Sequence, residues 1–210
     1  RQALKMQSRY IARIFFVILM LMTLPLDNFY QFMALNLFLA YIPFELVWLI
    51  KLFIPKRRFE WPLFIIFSAI FILIFPNTFY MVTDLIHLNQ FGFSIMHGVI
   101  ATEWLYFTYL VGGVLFALYC YILINIELFH LTDKPLFNYI LVITLMIANS
   151  VGIAMGRFLR FHSVYLINQP FSILRDVIHF FDIKGIFFVV IMTLLQGFVL
   201  ILVKGVRMAK

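Results

Sequence analysis

The chain has 210 residues, of which 65% are hydrophobic and 12% charged. A soluble domain carries about 45–50% apolar and about 25% charged residues, so this chain has too few charges to cover a water-facing surface. That excludes an ordinary soluble enzyme, a disordered segment and a nucleic-acid-binding module, and it means that the net charge of +7 is read by position rather than as a sum.

Cys120 is the sole cysteine and lies in an apolar run. An intramolecular disulfide is therefore excluded, and a cysteine-based zinc site is not expected.

A spanning helix needs about 20 mostly apolar residues, each rising about 1.5 Å through about 30 Å of hydrocarbon. Six runs meet or approach this: 11–26, which is short, 32–53, 61–75, 98–126, 135–155 and 185–203. The basic start at 1–13 followed by apolar 14–26 mimics a signal peptide. Leu24-Pro25-Leu26-Asp27 is a poor cleavage site, so the run is read as a retained first helix. The expected fold is all-α: a single domain over 1–210 with about six transmembrane helices plus two extracytoplasmic amphipathic helices.

With both termini in the cytoplasm, 12 Lys and Arg fall on the cytoplasmic side: Arg1, Lys5, Arg9, Arg13, Lys51, Lys56, Arg57, Arg58, Lys134, Lys204, Arg207 and Lys210. Arg157, Arg160, Arg175 and Lys184, 4 in all, fall opposite. This matches the positive-inside pattern of a multi-pass protein of the cell membrane. His87, His97, His162, His179, Asp84, Asp176 and Asp182 then lie outside or at the outer edge. The inner connections are short and basic; the long outer ones, 76–97 and 157–184, read as the working parts.

In the first outer connection Pro76 is expected to end the third span, with Asn77 or Thr78 capping a new helix. Asn77, Tyr80, Asp84 and His87 would share one face at spacings of 3, 4 and 3, with Met81, Leu85 and Leu88 on another. Asp and His one turn apart suit a hydrogen-bonded pair, a metal half-site or a proton relay. A helix lying in the interface with its polar face in water accounts for the pattern equally.

At the end of the fifth span Asn149, Gly152, Gly156 and Arg160 form a small, polar stripe. Gly152-x-x-x-Gly156 lets a second helix approach closely. Arg157 and Arg160 can fork onto phosphate or carboxylate oxygens, or can snorkel to head groups. After Pro170, 171–182 reads as a second amphipathic helix with Arg175, His179 and Asp182 on one face. Glu45 and Glu103 lie within spans, where an ionisable residue costs about 2.5–3.5 kcal/mol and requires a partner. Arg157 or Arg160 would serve Glu103, and Lys51 would serve Glu45.

Three strings carry a family likeness: Phe75-Pro76-Asn77-Thr78-Phe79-Tyr80-Met81-Val82-Thr83-Asp84-Leu85-Ile86-His87-Leu88, Gly156-Arg157-Phe158-Leu159-Arg160-Phe161-His162-Ser163 and, more weakly, Asn36-Leu37-Phe38-Leu39-Ala40-Tyr41-Ile42-Pro43-Phe44. With them the chain resembles the bacterial and archaeal integral-membrane family numbered 1361 among domains of unknown function. The resemblance covers most of the chain. It implies a polytopic membrane protein, carries no activity over, and puts Asn77, Tyr80, Asp84, His87, Arg157 and Arg160 first as site residues. The family usually has Asn where His162 stands, then an aromatic and an Asp soon after the Ser. Val164 and Tyr165 follow Ser163 here, which weakens His162 as a metal ligand.

Three functions fit these observations. One is an enzyme at the outer leaflet acting on an anionic lipid or lipid-linked substrate. There Asp84 and His87 would supply acid–base chemistry, Tyr80 and Asn77 would orient, and Arg157, Arg160, Arg175, Glu103 and His179 would line the binding site. Another is a small-molecule binding or transport subunit; the third is a membrane assembly or accessory protein. The expected partners are membrane lipids and not nucleic acid. No Ser-elbow, HExxH or phosphate-loop pattern names a reaction, and no motif names a cofactor. A metal at Asp84, His87 and His97 or His179 is the variant not adopted.

Overall fold

The computed structural model describes residues 2–24, 31–90, 98–159 and 181–209. Every regular element among them is helical. In chain order they are α1 (Gln2–Met22), α2 (Gln31–Leu52), a short 3₁₀ turn (Arg58–Glu60), α3 (Trp61–Ile74), α4 (Pro76–Tyr80), a 3₁₀ helix (Met81–Gln90), α5 (Ala101–Leu128), α6 (Pro135–Ala154), a π turn (Met155–Leu159) and α7 (Ile183–Met208).

Five helical stretches among the described residues are long and apolar enough to cross a membrane: Phe32–Leu52, Arg58–Gln90, Ala101–Leu128, Pro135–Phe158 and Ile183–Met208. Their positions match the second to sixth apolar runs. The expected first span is not among them. α1 carries Lys5, Arg9 and Arg13 in its first two-thirds, which leaves too short an uncharged stretch.

Helix starts follow local chemistry. Pro62 and Pro135 occupy first-turn positions of α3 and α6, where a missing N–H costs nothing. Asn138 ties the α5–α6 turn: its amide donates to the carbonyls of Phe129 (3.0 Å) and Thr132 (2.8 Å), and its Oδ1 accepts from Thr132. Asp182 is extended (φ −72°, ψ 179°) and caps α7 by accepting from the Gly185 N–H at 2.8 Å. It therefore starts a helix rather than lying on the face of one, as the 171–182 pattern had suggested. The rest of that proposed amphipathic helix lies outside the described residues.

The largest departure from expectation is at Pro76. Phe75 keeps helical angles (φ −54°, ψ −36°) and its N–H reaches the Phe71 carbonyl at 2.8 Å. So the third span passes through the proline into α4 and the 3₁₀ helix instead of ending. Neither Asn77 nor Thr78 acts as a cap. Asn77 Nδ2 donates back to the Ile74 carbonyl (2.9 Å), and Thr78 Oγ1 donates to the Ala40 carbonyl of α2 (2.9 Å). The first bond serves a carbonyl of the turn that the proline interrupts, and the second ties α4 to α2.

Helices alternate in direction around an aromatic core in which Phe75 stacks on Phe71 and Tyr121, and Phe79 meets Tyr121 edge-on. The glycine stripe of α6 receives α4. A Cβ on Gly152 would sit 2.6 Å from Pro76 Cγ, and one on Gly156 would sit 3.3 Å from Tyr80 Cε2. This is the close approach that the Gly-x-x-x-Gly spacing predicts. α7 is tied to α6 and α5 by buried Gln196, which donates to Ser150 Oγ (2.8 Å) and the Met146 carbonyl (3.0 Å) and accepts from Tyr121 (3.1 Å) and Asn149 (3.3 Å).

The two ends of the bundle differ in kind. At one end α2 begins, the Arg58–Gln90 stretch finishes and α6 finishes. At the other, Arg13 grips Glu45 through two 2.8 Å bonds while Tyr41 also donates to Glu45, and Lys51 pairs with Glu127 of α5. The expected Glu45–Lys51 pair does not form. Six residues apart on α2, the two side chains find partners on different helices: Arg13 of α1 takes Glu45, and Glu127 of α5 takes Lys51.

Candidate functional site

The first end holds a buried ion pair. Asp84 sits on the 3₁₀ helix with its side chain fully enclosed, at 0% exposure. Its Oδ1 accepts from Arg157 Nη2 at 2.6 Å and its Oδ2 from Asn36 Nδ2 at 2.8 Å. Three segments distant in sequence thus converge on one carboxylate. The face expected to meet water turns into the bundle instead, while Leu85 and Ile86 point outward. The reason is that α2 and α6 supply the partners that water would otherwise supply. An unpaired carboxylate there would be prohibitively costly.

Arg157 is held from several directions. Its Nε (3.2 Å) and Nη2 (2.6 Å) donate to Thr83 Oγ1, whose hydroxyl donates on to the Tyr80 carbonyl at 2.6 Å. The guanidinium also lies over the Tyr80 ring, 4.5 Å from its centroid. Arg157 stands on the π turn that ends α6. Such a turn inserts a residue into the helical register and recurs at functional sites. These bonds use Nε and Nη2. The two N–H groups of Nη1 carry no bond among the described residues, and the side chain is 17% exposed.

His87 is the more open member, at 23% exposure. On a 3₁₀ helix residues three apart eclipse, so Met81, Asp84, His87 and Gln90 form one row. His87 Nε2 lies 3.8 Å from Asp84 Oδ1, beyond hydrogen-bond reach but within strong Coulombic influence. Gln90 Nε2 lies 3.3 Å from His87 Nδ1. The ring nitrogen accepts in this contact when the proton is carried on Nε2, the nitrogen that faces Asp84. The ring also packs on Phe32, with centroids 4.9 Å apart.

The structure brings Tyr80, Asp84, His87 and Arg157 together, although Arg157 was expected beside Glu103. Asn77 is on the same stretch, but its amide is directed to the Ile74 carbonyl. Glu103 lies in the first turn of α5, and no bond joins it to Arg157 among the described residues. Arg160, Arg175 and His179 lie outside the described residues, as do His97 and His162. Asn36 and Thr83 are site residues that the spacing argument passed over. For Asn36 the signal was an amide in an otherwise apolar run; for Thr83 there was none. Among the described residues no group of three or more His, Cys, Asp or Glu is placed to hold a metal ion.

A multi-pass helical membrane protein with a buried polar cluster at one end of its bundle is the class that these observations define. Residues 35–199 match the family described as "Protein of unknown function (DUF1361)", and the chain belongs to that family. No curated protein and no solved structure matches it.

Proposed function

We propose that the protein acts at the extracytoplasmic membrane surface on a lipid or lipid-linked substrate with an anionic head group. His87 moves the proton, Asp84 fixes the charge and position of its neighbours, and Nη1 of Arg157 takes an anionic oxygen. The observation that carries this reading is the arrangement around Asp84. A fully enclosed carboxylate orients a guanidinium whose Nη1 edge is unused among the described residues, and it flanks a partly open imidazole. An ionisable cluster this deep in a membrane protein marks function more often than stability. The same arrangement revises the roles expected from sequence, since Arg157 is shared between a ligand and Asp84. Orientation rests on the described basic residues Arg9, Arg13, Lys51, Lys56, Arg57, Arg58 and Lys134, which gather at the opposite end. In this reading α1 adds the sixth crossing, with Arg13 neutralised by Glu45.

The test is lipid mass spectrometry on the gently solubilised protein and on the membranes that produced it, comparing wild type, His87→Gln and Arg157→Gln. The reading expects an anionic lipid or lipid-linked species retained by His87→Gln, turned over by wild type and lost from Arg157→Gln. Bulk phospholipid alone, equal in all three folded proteins, would leave the cluster a helix clamp and favour an accessory role. Stabilisation by a water-soluble ligand would favour transport.

A further inference from the structure

At the basic end a second feature stands apart from that site. Arg9 of α1 lies flat on Trp48 of α2, its guanidinium carbon 3.1 Å from the ring centroid, and Lys51 Nζ approaches the same ring at 5.6 Å. Arg9 Nε and Trp48 Nε1 are both buried without a hydrogen-bond partner. Two buried N–H donors are thus unfilled at this stacked pair.

Arg13 and Lys51 each have a carboxylate in contact, whereas Arg9 acts on Glu45 only through space. Arg13 has Glu45 and Lys51 has Glu127, and both oxygens of Glu45 are engaged by Arg13 and Tyr41. No carboxylate lies within ion-pair distance of Arg9 among the described residues. Trp48 is about one turn from the end of α2 at Leu52, which is about 6 Å below the helix end. That is the depth at which indoles and head-group phosphates meet. Around Arg9 the surface of α1 is open at Met6, Gln7 and Tyr10, which leaves the Arg9 side chain room to turn outward. The missing group is therefore an anionic oxygen that sits at this depth and accepts two N–H bonds.

We propose that Arg9 and Trp48 hold the phosphodiester of an acidic glycerophospholipid in the leaflet at the basic end. The guanidinium supplies charge, the indole N–H supplies a second donor, and the acyl chains lie along the exposed apolar face of α1 at Ile14, Val17 and Ile18.

The test uses the full chain with Trp61→Phe and Trp104→Phe, so that Trp48 alone fluoresces, reconstituted into vesicles of mixed lipid. Brominated phosphatidylglycerol is compared with brominated phosphatidylcholine as quencher. With Arg9 present the acidic lipid is expected to quench at about fivefold lower mole fraction. Arg9→Gln should bring the two lipids level, and Arg9→Lys should keep most of the preference, which separates loss of charge from loss of fold. Equal quenching by both lipids with Arg9 intact would overturn the site. So would an equal loss of preference in Arg58→Gln, because the attraction would then be diffuse. Abolition of the preference by millimolar inorganic phosphate would overturn the lipid as occupant.

Discussion

Asp84 concentrates the chemistry of its end of the bundle, and its consequences are sharpest residue by residue. Breaking a buried ion pair from one side leaves the other charge stranded, at a cost of about 3–5 kcal/mol. Asp84→Asn is therefore expected to lower the thermal midpoint in detergent markedly, since Arg157 Nη2 then faces a neutral amide. Adding Arg157→Gln should recover part of the loss. A double-mutant cycle is expected to give a coupling of about 1–3 kcal/mol; strict additivity would mean that the 2.6 Å contact carries no energy. Arg157→Lys should not rescue, because an ammonium cannot span Thr83 and Asp84 while lying over Tyr80.

Among elements, irregular helices make the site. Asp84 and His87 ride on a 3₁₀ helix and Arg157 on a π turn, so neither side of the cluster has α-helical register. The proline break at Pro76 is accommodated because Gly152 leaves room for the ring. Gly152→Ala would set a Cβ 2.8 Å from Pro76 Cβ and force α4 and α6 apart, so a destabilisation of about 1–3 kcal/mol is expected in denaturation assays. Gly156→Ala, facing Tyr80 Cε2 at 3.3 Å, should be milder. Gly205→Ala meets nothing within 4 Å and should be neutral or gain about 0.5–1 kcal/mol. An equal gain at all three glycines would show helix propensity, not helix approach, to be at work. On α7, Gln196→Leu removes the bonds to Ser150, Met146 and Tyr121. It should weaken the bundle by about 1–2 kcal/mol, read as earlier release of α7 in limited proteolysis.

Across the whole molecule, the alternation of helices puts the Asp84 cluster at one end of the bundle and most described basic residues at the other. Cys120 is fully buried and should stay silent to maleimides, which leaves a clean background for single cysteines. Val99→Cys, on a residue 84% exposed at the site end, is expected to label in intact cells with an impermeant reagent. Asp133→Cys, in the α5–α6 turn, should label only after permeabilisation. The reverse result would invert the orientation, and labelling of both from outside would remove the crossing between them.

Much of the architecture was legible before any coordinate. Apolar runs gave the positions of five spans because partition into lipid depends on composition along a stretch, not on neighbours. The strings that hold Asp84 and Arg157 stood out for a related reason: ionisable residues within apolar stretches need a partner. What only the tertiary structure decided was who pairs with whom. Glu45 takes Arg13 instead of Lys51, Lys51 takes Glu127, and Asp84 takes Arg157 with Asn36 and Thr83 in support. Whether Pro76 ended a helix was also undecidable locally, since Gly152 and the Ala40 carbonyl provide the accommodation from elsewhere in the chain. Pairing depends on which helices adjoin and how each is rotated, and those follow from packing over the whole bundle.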